Sequence, residues 1–209
     1  MLFRSLHIQW NAATDNVEVV NYSGGNATGL TASVQLLNMD GAVKWEKTAA
    51  VDSPEDSVET PIKMEYPQGL TATHFIRLKL MRGSQLVSEN FYLHGTEENN
   101  FKPIRGLPKV NLEASTREAL QAGRWTLTTE MHNPSAQPAL MVRLKVVREK
   151  SGDRILPAIY SDNYVALMPG ERRTIRTELA NADTRGERPR MVVEGFNTGE
   201  VKMATAAAR

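Results

Sequence analysis

The chain is 209 residues long, room for one large domain or for two sandwiches of about 100 residues each. Apolar residues make up 41% of it, and the lack of any continuous apolar run of about 18 residues excludes a membrane-spanning helix. Twenty-five basic against twenty-four acidic side chains exclude the basic excess that nucleic acid or an anionic membrane surface requires, and the absence of cysteine excludes disulfides, thiolate metal sites and cysteine nucleophiles.

The opening Met1-Leu2-Phe3-Arg4 is too short and too quickly polar to act as a signal peptide, so any export signal is expected outside this chain. The dominant period that follows is two, which is the signature of half-buried strands. Ala32, Val34 and Leu36 share one face, and Asp40-Gly41 beyond them is a hairpin cue, since both positions tolerate the positive φ of a type I′ turn. His74, Ile76, Leu78 and Leu80 share a face, as do Val87, Phe91 and Leu93, with Glu89 the odd member. Gly24-Gly25 and Gly83-Ser84 add turn signals to this half.

A boundary is predicted over residues 94–108. His94 to Asn100 is polar, and Phe101 to Pro108 contains two prolines and a glycine, which belong in a connection and not in mid-sheet. Phe101, Ile104 and Leu107 are too apolar for a free linker and are expected to pack between domains. Ala114 to Gly123 has helix-friendly residues but only about three turns' worth before its glycine, so a loop or one short helix is predicted there.

In the second half Trp125, Leu127 and Met131 line one predicted strand face. Leu140, Val142, Leu144 and Val146 line another, and Ile175, Thr177 and Leu179 a third. Ser151-Gly152-Asp153 and Pro169-Gly170-Glu171 supply turns, and Met203 to Arg209, without apolar pattern, reads as a frayed tail. Short strands with frequent turns predict an all-β fold: two tandem immunoglobulin-like antiparallel β-sandwich domains, residues 1–100 and 105–209.

Chemistry is sparse. The four histidines, His7, His74, His94 and His132, have no metal-ligand spacing; His74 reads as a hydrogen-bonded core or edge residue and His132 as a surface residue before a turn. Gly24 to Gly29 lacks the lysine and the strand–helix setting of a phosphate loop. The acidic pairs Glu55-Asp56 and Glu97-Glu98 are neighbours in polar loops, whereas a glycosidase pair must face each other across a bond. Asn21-Tyr22-Ser23 and Asn26-Ala27-Thr28 match the N-glycosylation pattern, which has meaning only in a secretory eukaryotic setting. No catalytic residue, metal or cofactor is predicted. Asp162-Asn163-Tyr164 is read two ways: as a structural loop closed by an Asx turn, which is favoured, or as polar and aromatic groups at a sandwich edge offered to a sugar.

These last residues carry a resemblance. Asp162-Asn163-Tyr164, then Leu167, then Pro169-Gly170-Glu171 resembles a segment in the C-terminal immunoglobulin-like domain of family 2 glycoside hydrolases of the β-mannosidase, exo-β-D-glucosaminidase and endo-β-mannosidase group. Val192 to Asn197 is similar to the closing strand of that domain, with Phe196 where tryptophan is common. Glu89 to Gly95 and Leu6 to Trp10 are similar to the last and first strands of the preceding domain, with Val19-Val20-Asn21 and Met39-Asp40-Gly41 in support. The resemblance covers nearly the whole chain but only the last two domains of a much longer enzyme. It implies non-catalytic accessory domains whose partners are the catalytic (β/α) barrel and the other domains of a retaining glycosidase, cleaving β-mannosides or β-glucosaminides. For a bacterial parent it implies a periplasmic or secreted location. The two catalytic glutamates of such barrels match no position here, so the fragment itself is expected to be inactive. The alternative is a carbohydrate-binding module that takes up oligosaccharide through surface aromatics. Aromatic residues are 6% of the chain; Trp125 and Trp45 read as core, and Trp10 and Trp45 are the candidate platform rings.

Overall fold

The computed structural model describes residues 5–96 and 100–205, with side chains as far as Met203. The expectations placed on Met1-Leu2-Phe3-Arg4, on Glu97-Glu98 and on residues 206–209 lie outside the described residues. Backbone contacts group the chain into two units that divide after Gly106. Apart from two short 3-10 turns, the regular structure of the described residues is all β.

In the first unit, β1 (Leu6–Asn11) and β2 (Asn16–Asn21) form a hairpin, as do β3 (Ala27–Leu37) and β4 (Val43–Ser53). Then β5 (Ser57–Lys63) pairs with β2, and β6 (Thr73–Arg82) with β7 (Gln85–Gly95) closes the unit before the 3-10 turn Lys102–Gly106. The sheets run β1-β2-β5 and β4-β3-β6-β7. Their inner faces bury Ile8, Val17, Val19, Leu30, Val34, Leu36, Ile62, Ile76, Leu78 and Leu80. Each such side chain contributes about 1.5–3 kcal/mol relative to exposure, and their alternation with polar neighbours sets which way each strand faces.

In the second unit come β8 (Val110–Gln121), β9 (Arg124–His132), β10 (Ala139–Arg148), the two-residue β11 (Ile159–Tyr160), β12 (Val165–Leu167) and β13 (Arg172–Ala180). The 3-10 turn Asn181–Thr184 leads to β14 (Pro189–Glu194) and β15 (Thr198–Thr205). A sheet β12-β10-β14 faces a sheet β11-β13-β9-β8-β15 across Leu112, Leu127, Met131, Val142, Leu144, Val146, Ile175 and Leu179.

The structure departs from the sequence expectations at several points. Ala114 to Gln121 is neither loop nor helix but most of β8. Its local propensity is helical, yet it pairs with β9 on one side and β15 on the other while burying Leu112 and Ala114, and tertiary pairing overrides propensity. The type I′ geometry falls at Ala122-Gly123, both at positive φ (47° and 74°), in the two-residue turn from β8 to β9. At Asp40-Gly41 only the glycine is left-handed, at φ 86°. There the Gly41 N–H donates to Asn38 O (2.8 Å) and the Asp40 side chain caps the Ala42 N–H, so the Asp40-Gly41 turn is type I followed by a left-handed glycine.

Residues Met203 to Thr205, expected to fray, are the end of β15 in register with β8. That pairing is parallel, so this sheet is mixed and not purely antiparallel. On β7 the face assignment is also corrected. A register shift near Leu86 leaves Val87 on the core, but Ser88, Asn90, Tyr92 and not Phe91 or Leu93 turn toward β1. They do so because their polar atoms satisfy the β1 backbone: Asn90 Nδ2 donates to Ile8 O (2.6 Å) and the Trp10 N–H donates to Tyr92 Oη (3.4 Å). Phe91 stacks on Phe75 on the opposite face, with ring centroids 5.2 Å apart. On β10 a bulge between Ala139 and Val142 moves Leu140 out of the core cluster and brings Ala139 in. Trp125 packs on the second core only in part, because its indole N–H reaches out to Asn181 Oδ1 (2.9 Å).

Candidate functional site

The loop between β11 and β12 holds Asp162, Asn163 and Tyr164, and the structure gives them three different tasks. Asp162 Oδ1 accepts the Asn163 N–H (2.8 Å), while Oδ2 receives Arg173 Nη2 from β13 at 2.6 Å. Asn163 turns its amide onto β10: Oδ1 accepts the Leu144 N–H (2.8 Å) and the Tyr164 N–H (3.0 Å), and Nδ2 donates to Leu144 O (3.0 Å). One side chain thereby supplies both ladder bonds that a strand residue would give. The β10 edge is closed in steps, by Val165 opposite Val142, by Asn163 at Leu144, and at Val146 by Tyr160 Oη and the Ile155 N–H. Closing an edge in this way removes unpaired backbone groups that invite aggregation. Pro169-Gly170 follows as a type II turn, with Gly170 at φ 75° and the Glu171 N–H on Met168 O.

Tyr164 behaves differently. It is 63% exposed and sits at φ 59°, and its hydroxyl accepts Arg143 Nη1 (3.3 Å). Arg143 also pairs with Glu194, which Lys145 Nζ reaches at 2.9 Å. The Lys145 and Arg143 hydrogen bonds hold the Glu194 carboxyl below the usual range. Met141, 51% exposed, is two residues before Arg143 and Phe196, 47% exposed, two after Glu194, and the Phe196 N–H donates to Leu140 O. The sequence motif marked Tyr164 and Phe196, and the β10 alternation puts Met141 on the outward face; its positive φ at the bulge has no signal there.

An Asp162→Ala substitution is expected to lower stability by about 1–2 kcal/mol, since it removes one local backbone bond and the bond to Arg173, whose side chain is 19% exposed. A urea titration of the purified chain measures it.

The histidines occupy three settings. His7 Nε2 contacts Gln9 Oε1 (3.3 Å), and His132 Nδ1 contacts Glu113 Oε2 (2.9 Å). His74 is fully buried and joins His94 in a chain that spacing alone did not reveal. His74 Nδ1 lies 3.1 Å from Thr71 O, an acceptor only, so that nitrogen carries the proton. His74 Nε2 therefore accepts, and His94 Nδ1 donates to it over 3.1 Å. The Trp10 and Tyr66 rings flank the pair, and the Tyr66 hydroxyl donates to Asp15 Oδ1 (2.9 Å). Burial is the leading cause that lowers the pKa of both histidines. Unfolded histidine, near 6.5, then binds protons before the folded pair does. The stabilisation is complete above that value and is lost as pH falls below it. The urea midpoint is expected to drop between pH 7.5 and 5, and to drop less in His94→Gln.

On the outer face of the five-stranded sheet lies an open groove of about 390 Å³ lined by Glu113, Glu130, His132, Arg172 and Lys202. Glu113 is bonded to His132, which lowers its carboxyl pKa, and Glu130 is paired with Arg172. A general acid needs the opposite shift. The carboxyls of Glu187 and Glu194 also shift down. Among the described residues no three His, Cys, Asp or Glu side chains gather as metal ligands. Asn21, in one of the two glycosylation patterns, is fully buried, and its Nδ2 donates to the Gly25, Ser53 and Pro54 carbonyls, so it offers no acceptor.

Comparison with known proteins agrees with this geometry. Residues 90–198, just over half of the chain, match the family described as "Exo-beta-D-glucosaminidase Ig-fold domain". The chain belongs to that family, an immunoglobulin-fold family of the family 2 glycoside hydrolases. It is 30% identical to an exo-β-D-glucosaminidase of Streptomyces avermitilis, over 96% of this chain and 25% of that protein. It is 29% identical to the exo-β-D-glucosaminidase of Amycolatopsis orientalis, over 93% of this chain and 21% of that protein. The crystal structure of the Amycolatopsis orientalis exo-chitosanase CsxA superposes with a TM-score of 0.87 at 28% identity, over 94% of this chain and 26% of that one. The chain thus spans about a quarter of the length of the relatives it matches. Its relatives are multidomain glycosidases in which domains of this kind are one part.

Proposed function

We propose that the chain is a pair of non-catalytic accessory domains of a retaining exo-β-D-glucosaminidase, supporting a (β/α) barrel that carries the chemistry. One observation carries the reading: the likeness runs through nearly all of this chain and only about a quarter of each relative. Retaining cleavage needs a proton donor with a raised pKa and a second carboxylate about 5–5.5 Å away, both enclosed with the sugar ring. The acids of the groove, Glu113 and Glu130, are instead bonded to His132 and to Arg172 on an open sheet face.

A carbohydrate-binding module has less support. A sugar platform needs exposed flat rings, whereas Trp10, Trp45 and Trp125 all pack against the two cores. The glucosaminide is favoured over the mannoside by the names of the relatives alone.

The test is incubation of the purified chain, at high concentration, with aryl β-glucosaminide and aryl β-mannoside, beside the complete polypeptide that carries it. The chain is expected to turn over neither, and the complete polypeptide to cleave the glucosaminide. Turnover that copurifies with the chain and disappears in Glu113→Gln or Glu130→Gln would overturn the reading.

A further inference from the structure

Among the described residues six other than glycine have positive φ, and four of them are easily explained. Asp15 and Asp56 are of a type that tolerates the left-handed region, Ala122 sits in a type I′ turn, and Arg185 ends a 3-10 helix. Met141 (φ 51°), within the β10 bulge, and Tyr164 (φ 59°) differ from these: both are bulky and both are more than half exposed. Left-handed backbone is disfavoured at such residues, and it persists where surrounding structure enforces it, commonly at working surfaces.

The two strained residues lie on one patch. Arg143 is opposite Glu194 in the register, and it bonds the Tyr164 hydroxyl on its other side. One step along, Met141 and Phe196 flank the bond from the Phe196 N–H to Leu140 O. Tyr164 thus bonds one ion-pair cluster directly, and two further exposed apolar residues, Met141 and Phe196, stand on the backbone that borders it. The polar atoms of that cluster already bond one another: Arg143 to Glu194 and Tyr164, Lys145 to Glu194. A sugar needs open donors and acceptors, whereas both Glu194 oxygens and the Arg143 fork are already bonded; a protein surface needs apolar anchors within a satisfied polar rim. Arg143, Lys145 and exposed Arg190 outnumber Glu194 on these two strands, so the matching surface is acidic at its edge.

We infer that the face formed by Met141, Tyr164 and Phe196 docks into an apolar, acid-rimmed hollow on another domain of the same long polypeptide. This rests on the accessory-domain reading above. About three quarters of each matched relative lies outside the match, since the chain spans 21% and 25% of them. A tether favours this occupant over a second copy. A free dimer needs about 800 Å² buried on each partner, whereas a covalently linked surface meets its partner at an effective concentration near millimolar, so a small patch suffices.

The experiment compares amide hydrogen exchange of this chain alone with that of the complete polypeptide, in wild type and in the double variant Met141→Gly/Phe196→Ser. Glycine takes positive φ without strain, so the variant chain alone is expected to melt as the wild type does. In the complete wild-type polypeptide, exchange at residues 141–143 and 164–166 is expected to slow by about tenfold, equivalent to about 1.4 kcal/mol, and the double variant is expected to lose that protection. Added protection confined to another face would overturn the docking face and leave the accessory reading standing. Protection gained nowhere would overturn both. Heat of binding from glucosamine oligomers to the chain alone, abolished in the variant, would overturn the docking face in favour of a sugar site.

Discussion

Replacing Arg148 by methionine is expected to destabilise the second unit by about 2–4 kcal/mol, although the two side chains have similar volume. The Arg148 guanidinium is 9% exposed and its fork is spread over three carbonyls: Nε on Thr184 O (3.1 Å), Nη2 on Asp183 O (2.8 Å) and Nη1 on Arg154 O (3.4 Å). The nearest carboxylate, Asp153, is 3.8 Å away and itself mostly exposed, so the charge is compensated chiefly by peptide dipoles and not by an ion pair. Methionine fills the space and forms none of these bonds. Thr184 is buried, so its carbonyl keeps no route to water, and an unsatisfied buried acceptor costs about 1–3 kcal/mol. The exposed Arg154 carbonyl can recover water, which caps the total. Lysine is expected to restore less than half of the loss, because a point ammonium cannot reproduce a planar fork. Denaturant midpoints of wild type, Arg148→Met and Arg148→Lys check the order. A methionine variant as stable as wild type would mean that the three carbonyls find other donors.

The alternation along β9, β10 and β13 was readable because one face of each strand meets the core, and period two is all that such burial asks of a sequence. The motif at Asp162 to Glu171 was readable as a family feature, yet its physical content was not. That Asn163 stands in for a strand partner of Leu144 depends on where β10 passes, 19 residues away. β8 was missed because Ala, Glu, Leu and Gln favour helix in isolation, and only the neighbours β9 and β15 reverse that preference. The His74–His94 pair was missed because it is a cross-strand neighbour set by the β6–β7 register, which the shift near Leu86 makes unreadable from spacing. Leu140 was placed in the core and Ala139 left out because a bulge breaks the period they were read from.

At Asn197 an isosteric change is expected to do more harm than a truncation. This side chain is 4% exposed and its three bonds are all to backbone: Oδ1 accepts the Leu140 N–H (2.9 Å), and Nδ2 donates to Pro108 O (3.0 Å) and Pro138 O (2.8 Å). Its own carbonyl accepts the Val110 N–H, so one residue joins the start of β8, the start of β10 and the β14–β15 turn. Asn197→Ala leaves the Leu140 N–H and two carbonyls without these partners and is expected to cost about 2–4 kcal/mol, with the groups too close together for their costs to add fully. Asn197→Asp keeps the acceptor for Leu140 but points a carboxylate oxygen at two carbonyl oxygens. The ionised form then meets repulsion as well as burial, and the folded state raises the pKa of that carboxyl. A raised folded pKa means stability that is present below the unfolded value, near 3.9, and is lost as pH rises through the folded value. At pH 7 Asn197→Asp is therefore expected to be less stable than Asn197→Ala. On acidification the gap is expected to close, because the protonated acid can donate to one of the two carbonyls. Urea midpoints of both variants at pH 7 and pH 5 measure this, and an Asp variant that stays above the Ala variant at pH 7 would mean that Nδ2 does not bear on Pro108 and Pro138 as described.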